Sequence, residues 1–327
     1  MNTMTVNPAL LAHATRTIRV GSKSFAAAAR LFSGDVRRSV LMLYAWCRHC
    51  DDTIDGQELG FRTGAAANPA DVRRQLVLLR ELTRRAYAGE AMMDAAFAAF
   101  QEVALRHAID PRFAFDHLAG FAMDVEDTHY ETIDDLLRYC YHVAGVVGLM
   151  MAAIMDVQDE ALLDRACDLG LAFQLTNIAR DIVEDAEAGR CYVPAEWLRA
   201  AGIPRQEIAL PRHRTALATI AARLVDHAEP YYDSAAAGVA ALPLRSAWAI
   251  ATARNVYRQI GIDLQRRGAR AWDERVGTSK AAKLRLLARG GISALTRRLR
   301  AHPARPRDLW QRPRAADVPD AAPEARA

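Results

Sequence analysis

The stretch Gln174-Leu175-Thr176-Asn177-Ile178-Ala179-Arg180-Asp181-Ile182-Val183-Glu184-Asp185 governs how the chain is read. Its polar members Gln174, Asn177, Asp181 and Asp185 follow one another at steps of three, four and four, the spacing that stacks side chains on one helix face. The residues between them are largely apolar, so this stripe borders a surface that faces a core. Carboxylates in such a place are costly unless paired or bound to a cation. A second stretch, Cys47-Arg48-His49-Cys50-Asp51-Asp52-Thr53-Ile54-Asp55, repeats the device. Extended backwards it places Tyr44, Arg48, Asp51 and Asp55 on one face, again at steps of four, three and four. One Asp-x-x-x-Asp is usually a solvated pair. Two of them, each on an apolar helix and each with further polar groups, ask for a ligand.

The ligand follows from the donors. Carboxylate and amide oxygens without a thiolate or imidazole set select Mg²⁺ or Mn²⁺. Mg²⁺ favours one or two carboxylates completed by substrate phosphate oxygens over a full protein cage. Metal at Asp51, Asp55, Asn177, Asp181 and Asp185 would therefore bind together with a phosphorylated substrate, and the natural one is a diphosphate.

Outward from these stretches the chain reads as helix. Alanine, leucine and arginine are frequent and period-two runs are scarce. Asp35 precedes a periodic segment with Gly56 as its stop, and Asp110-Pro111 is an N-cap followed by proline at the first helical position. Thr132 with Asp135 resembles a capping box ahead of a helix through Met155. Asp159 or Glu160 opens the helix carrying the second stripe, with Gly189 at its end, and further helices are expected at 213–240, 245–268 and 279–300. The expected fold is all-α: a single helical bundle of about ten helices over residues 1–300, with a central cavity. Residues 301–327, broken by Pro303, Pro306, Pro313, Pro319 and Pro323, are expected to be a flexible tail.

Hydrophobic residues make up 51% of the 327, enough for a sizeable core. Five cysteines in so long a chain are not a disulfide framework, and no secretory signal is visible. The longest apolar run, Val143 to Met155, is too short to span a bilayer and reads as a core helix. A cytoplasmic protein is expected, soluble or peripherally bound to membrane. From Lys280 to Arg314 eleven Lys and Arg face Asp308 alone. This basic stretch reads as a solvated helix face or a contact for anionic lipid, with nucleic acid last, since aromatics are sparse and no reader motif appears.

At the motif level the sequence resembles the squalene/phytoene synthase family, in its bacterial phytoene-forming branch. The resemblance rests on Asp51-Asp52-x-x-Asp55 after Tyr44-x-x-Cys47-Arg48, and on Asn177-x-x-x-Asp181-x-x-Glu184-Asp185 further along. Gly21-Ser22-Lys23-Ser24-Phe25 is similar to the family's diphosphate-contacting segment. Tyr139-Cys140-Tyr141-His142-Val143-Ala144-Gly145-Val146-Val147-Gly148 follows its Tyr-Cys-x-x-Val-Ala-Gly-x-Val-Gly signature, and Arg190-Cys191-Tyr192-Val193-Pro194 its flap. The resemblance implies an isoprenoid-synthase bundle that condenses two geranylgeranyl diphosphates head to head. The route runs through a cyclopropyl intermediate, prephytoene diphosphate, to 15-cis-phytoene and two diphosphates, the first committed step of carotenoid biosynthesis. It implies contact with the neighbouring enzymes of that pathway.

Within this reading Asp51, Asp55, Asp181, Asp185, Arg48 and Tyr44 carry the catalysis. Ser22, Lys23, Ser24, Tyr139, Gln174, Arg180, Tyr192, Tyr257 and Arg275 bind the substrate. Each tyrosine reads equally as a packed aromatic. Ala26 to Ala29 and Leu41 near the head-group segment leave room for C20 tails, and the alternative is a C30 synthase using farnesyl diphosphate. A relative that kept the fold as a non-catalytic binding module would have lost aspartates, and here all are present. Glu126-x-x-His129 lacks the second copy that a di-iron bundle needs, and Cys47-x-x-Cys50 lacks a second pair for zinc. No nucleotide-binding motif is present, so a dependence on ATP has no signature here.

Overall fold

The computed structural model describes residues 8–58, 61–62, 68–296 and 303–314, with the backbone alone at 23, 24, 57, 58, 61, 62, 69 and 280. Among the described residues thirteen α-helices carry the fold: α1 (Pro8–Gly21), α2 (Lys23–Ala29), α3 (Gly34–Asp55), α4 (Pro69–Tyr87), α5 (Ala95–Arg106), α6 (Pro111–Val125), α7 (Ile133–Cys140), α8 (Val146–Ile154), α9 (Glu160–Glu187), α10 (Ala195–Ala200), α11 (Arg214–Gly238), α12 (Leu244–Arg267) and α13 (Lys280–Thr296). One two-residue hairpin, Gln57–Glu58 with Phe61–Arg62, follows α3. The expected all-helical architecture is present, with more and shorter pieces than the ten expected.

The boundaries follow local chemistry. Gly56 ends α3 in the left-handed conformation (φ 60°), which spares the Cβ clash any other residue would meet. Asp110 caps α6 by accepting from the Arg112 amide, with Pro111 next, and Asp159 caps α9 by accepting from the Leu162 amide. Thr132 and Asp135 form both hydrogen bonds of the capping box.

The helix expected to run unbroken to Met155 is instead α7, a five-residue π-helical turn at Tyr141–Gly145, and α8. Together Ile133–Ile154 form 22 helical residues, long and apolar enough by composition to cross a membrane. The run Val143 to Met155 underestimated this length because helix continues back to Ile133. Most of it is buried inside the bundle, with Leu136, Tyr141 and Leu149 fully enclosed. The glycines of Val-Ala-Gly-x-Val-Gly act here: a Cβ on Gly148 would overlap the Ala166 carbonyl of α9, and one on Gly170 of α9 would overlap the Ala144 carbonyl. Small residues on both sides thus let α8 and the π-turn lie directly on α9.

At 28 residues α9 is the longest element, about 42 Å at 1.5 Å per residue. It packs on α11, α12, α8 and the π-turn, and it carries acidic residues at both ends. On α3 Trp46 stacks on Phe100 of α5, ring centroids 4.1 Å apart.

The expectation of a flexible tail fails for residues 303–314, which run as a strap over the first turns of α9. Arg305 donates to both oxygens of Asp168 (2.9 and 2.8 Å), which also accepts from Ser234 of α11 (2.5 Å). Arg312 and Arg314 reach Asp164 (2.8 and 2.7 Å) and both pair with Glu160. The Trp310 amide donates to the Tyr231 hydroxyl (3.2 Å), and Leu309 is buried. The prolines that rule out helix here leave the segment extended, and its arginines find carboxylates on α9.

Candidate active site

The two polar stripes lie where α3 and α9 end, and Arg190, in the loop after α9, stands between them. Its guanidinium donates to both oxygens of Asp55 on α3, while its charge also reaches Asp51, Asp124 and Asp185. On α3 the Arg48 side chain donates to Asp51 (2.6 Å). On α9 Arg180 pairs with its neighbour Asp181, and Arg275, on the loop before α13, donates to Glu184 (2.7 Å) and Asp181 (3.2 Å). Asn177 donates to Gln174 (3.4 Å). The arginines assigned to diphosphate thus rest on the carboxylates assigned to metal.

Electrostatics mark the same place. Burial, and then the charge of Asp55, push Asp51 above the usual carboxylate range against the pull of Arg48, although 38% of its side chain still meets solvent. Burial, and then Asp181, push Asp185 up to about 7. Like charges gathered in a poorly solvated place invite a cation. A constricted cavity of about 10 Å³, room for about one water, adjoins Asp185, Tyr192 and Ile178.

The head-group segment closes the third side. Ser22 caps α2 by accepting from the Phe25 amide (3.2 Å) and hydrogen-bonds Tyr257 of α12, whose ring stacks on Phe173 at 4.2 Å. Phe25 stacks on Tyr44 at 5.7 Å. The buried Tyr44 hydroxyl and Arg48 Nε make no well-formed hydrogen bond, although each feels the other's charge. Both face Gly21, where a Cβ would stand 2.6 Å from the phenol oxygen. The backbone of Lys23 and Ser24 opens α2 beside them, while their side chains lie outside the described part.

Two tyrosines take a different place from the one expected. Tyr139 and Tyr192 stack on each other (4.8 Å) and donate their hydroxyls to Asp124 of α6 (3.1 and 2.8 Å), not toward the arginine-bound aspartates. Burial pushes Asp124 up to about 6, with Arg190 and the two hydroxyls pulling the other way. Asp124 and the bridging role of Arg190 escaped the sequence reading. An aspartate between Met123 and Val125, in the apolar second half of α6, is the available signal.

The donor set fits a divalent cation. All its members are oxygens, on Asp51, Asp55, Asn177, Asp181 and Asp185. Among the described residues no three acidic, His or Cys side chains form a cage by themselves. Mg²⁺ completed by substrate phosphate oxygens needs no such cage. The phenol and guanidinium beside Gly21, loosely paired with each other, suit phosphate oxygens.

Comparison with known proteins places the whole chain among relatives. The 15-cis-phytoene synthase of Pantoea ananas is 62% identical over 307 residues, covering 94% of this chain and 99% of that one. The 15-cis-phytoene synthase of Enterobacter agglomerans is 60% identical, covering 90% and 100%. Among solved structures a dehydrosqualene synthase in complex with ligand superposes with a TM-score of 0.78 at 26% identity, covering 88% of this chain and 98% of that one. The squalene/phytoene synthase profile matches residues 18–287, and the chain belongs to that family of prenyl-transferring enzymes.

Proposed function

We propose that the chain is a phytoene synthase, joining two geranylgeranyl diphosphates head to head to give 15-cis-phytoene and two diphosphates. The observation that carries this is the meeting of the two carboxylate stripes around Arg190, in a chain so similar to two enzymes named 15-cis-phytoene synthase. Asp51, Asp55, Asn177, Asp181 and Asp185 would hold Mg²⁺ or Mn²⁺. Bound there with substrate diphosphate, the metal supplies positive charge for the departing group.

The chain's own residues do the rest. Arg48, Arg180 and Arg275 sit within reach of the same space and offer paired N–H groups to phosphate oxygens once those oxygens compete for them. Ser22, Lys23, Ser24 and Tyr44 orient the head group from the α1–α2 side, and Gln174 and Tyr257 flank it from α9 and α12. Tyr139 and Tyr192, held by Asp124, wall the site beside the flap. The apolar faces of the π-turn, α8 and α9 keep water from the allylic cation and guide the hydrocarbon chains. The C20 preference draws support from Ala28 and Ala29, which are buried close behind the head-group segment. Peripheral contact with anionic membrane belongs to the same reading, since the product is a hydrocarbon, as does contact with the enzymes that precede and follow it.

Purified protein given Mg²⁺ and geranylgeranyl diphosphate is expected to yield a hexane-extractable C40 triene with the ultraviolet spectrum of phytoene, and none after chelation. A C30 hydrocarbon formed in preference from farnesyl diphosphate would correct the chain length. No product from either substrate would refute the reading.

A further inference from the structure

The described C-terminal helix α13 presents an unusual outward face. Its inner face, with Leu286 buried and Gly290 set directly against Thr252, packs on α12. The Trp248 indole donates to the Leu287 carbonyl (2.8 Å) and fixes the helix there. The outer face carries Leu284, Ala288, Ile292 and Leu295 at steps of four, four and three, one continuous stripe. The three large members are 68%, 63% and 57% exposed. Single surface leucines are ordinary; an aligned row marks a contact.

Charge identifies the partner. Lys283, Arg285 and Arg289 flank the stripe, no Asp or Glu occurs between Glu274 and Asp308, and among the described residues no carboxylate pairs with these three. The basic residues of the strap differ, since Arg305, Arg312 and Arg314 are engaged by α9. A second copy of the chain would bring like charges together along this face. A bilayer carrying anionic headgroups satisfies both features, taking the apolar stripe into its interface and the cations onto its phosphates.

We infer that α13 is the membrane-docking face of the protein, laid flat on anionic lipid. The inference rests on the membrane contact of the proposed function and locates it. Lys280, where α13 begins, lies five residues after Arg275, which touches Asp181 and Glu184. Docking therefore lays on the lipid surface the helix that directly follows this arginine of the site.

The test is flotation of the full chain with phosphatidylglycerol/phosphatidylcholine vesicles. Binding is expected to fall about tenfold in I292E/L295E and, separately, in R285E/R289E, with circular dichroism and turnover in detergent unchanged. It should also fall with added salt and with neutral vesicles. No binding by the unaltered chain would overturn membrane contact altogether. Undiminished binding by both variants would leave membrane contact standing and overturn the assignment to α13. A dimer that dissociates in I292E/L295E would make the face a self-contact and overturn it too.

Discussion

The two ends of α9 carry the same kind of residue and treat it in opposite ways. At the N-terminal end Glu160, Asp164 and Asp168 meet three arginines of the strap. Asp168 is wholly buried, yet two guanidinium N–H groups and the Ser234 hydroxyl satisfy both its oxygens. At the C-terminal end six acidic groups, Asp51, Asp55, Asp124, Asp181, Glu184 and Asp185, share the four guanidiniums of Arg48, Arg180, Arg190 and Arg275, and among the described residues Asp124 and Asp185 form no ion pair of their own. A buried carboxylate with a dedicated counter-ion is architecture. A cluster with too few counter-ions is a binding site in waiting.

Breaking each end should therefore give opposite phenotypes. Asp181→Asn is expected to lower turnover of geranylgeranyl diphosphate by about 10³-fold, with the thermal melting point unchanged or higher. A melting point several degrees lower would mean that this carboxylate also holds the fold. Arg305→Ala should do the reverse, destabilising the protein by about 3–5 kcal/mol because Asp168 stays buried without its partner. Denaturant titration reads that loss, and an Asp168→Leu/Arg305→Met pair should recover most of it.

Midway along the helix, Gly170→Ala is expected to destabilise by about 1–3 kcal/mol as the new methyl pushes on the Ala144 carbonyl. A neutral result would show that the π-turn yields. The smallest effect belongs to Arg314→Ala. Arg314 is itself 37% exposed, its partner Glu160 is 64% exposed, and its other partner Asp164 keeps Arg312, so a loss of about 1 kcal/mol is expected, and it should shrink in high salt.

How much of this was legible depends on range. Capping is local, and Asp110, Thr132, Asp159 and Gly56 announced their helix ends from the sequence because the atoms involved lie within a few residues. The two aspartate stripes were legible for the same reason, since helix geometry alone aligns Asp51 with Asp55 and Asp181 with Asp185. What α9 meets was not legible. Arg190 reaching Asp55 and Arg305 reaching Asp168 span 135 and 137 residues, and nothing in either neighbourhood names its partner. The strap misled for a related reason. Its prolines exclude only helix, and an extended arginine segment docks well on a helix rich in carboxylates. The π-turn also left no composition signal. It shows only through the glycines that let two backbones touch.

The strap has a consequence for how the protein is made. A chain emerging from the ribosome begins to fold from its N-terminus. Asp168 is synthesised 137 residues before Arg305. During that interval the first half of α9 can pack against α11, whose Ser234 donates to Asp168, only with a carboxylate that lacks its arginine in the seam. The α9–α11 seam is therefore expected to gain its full stability only once the strap has been made.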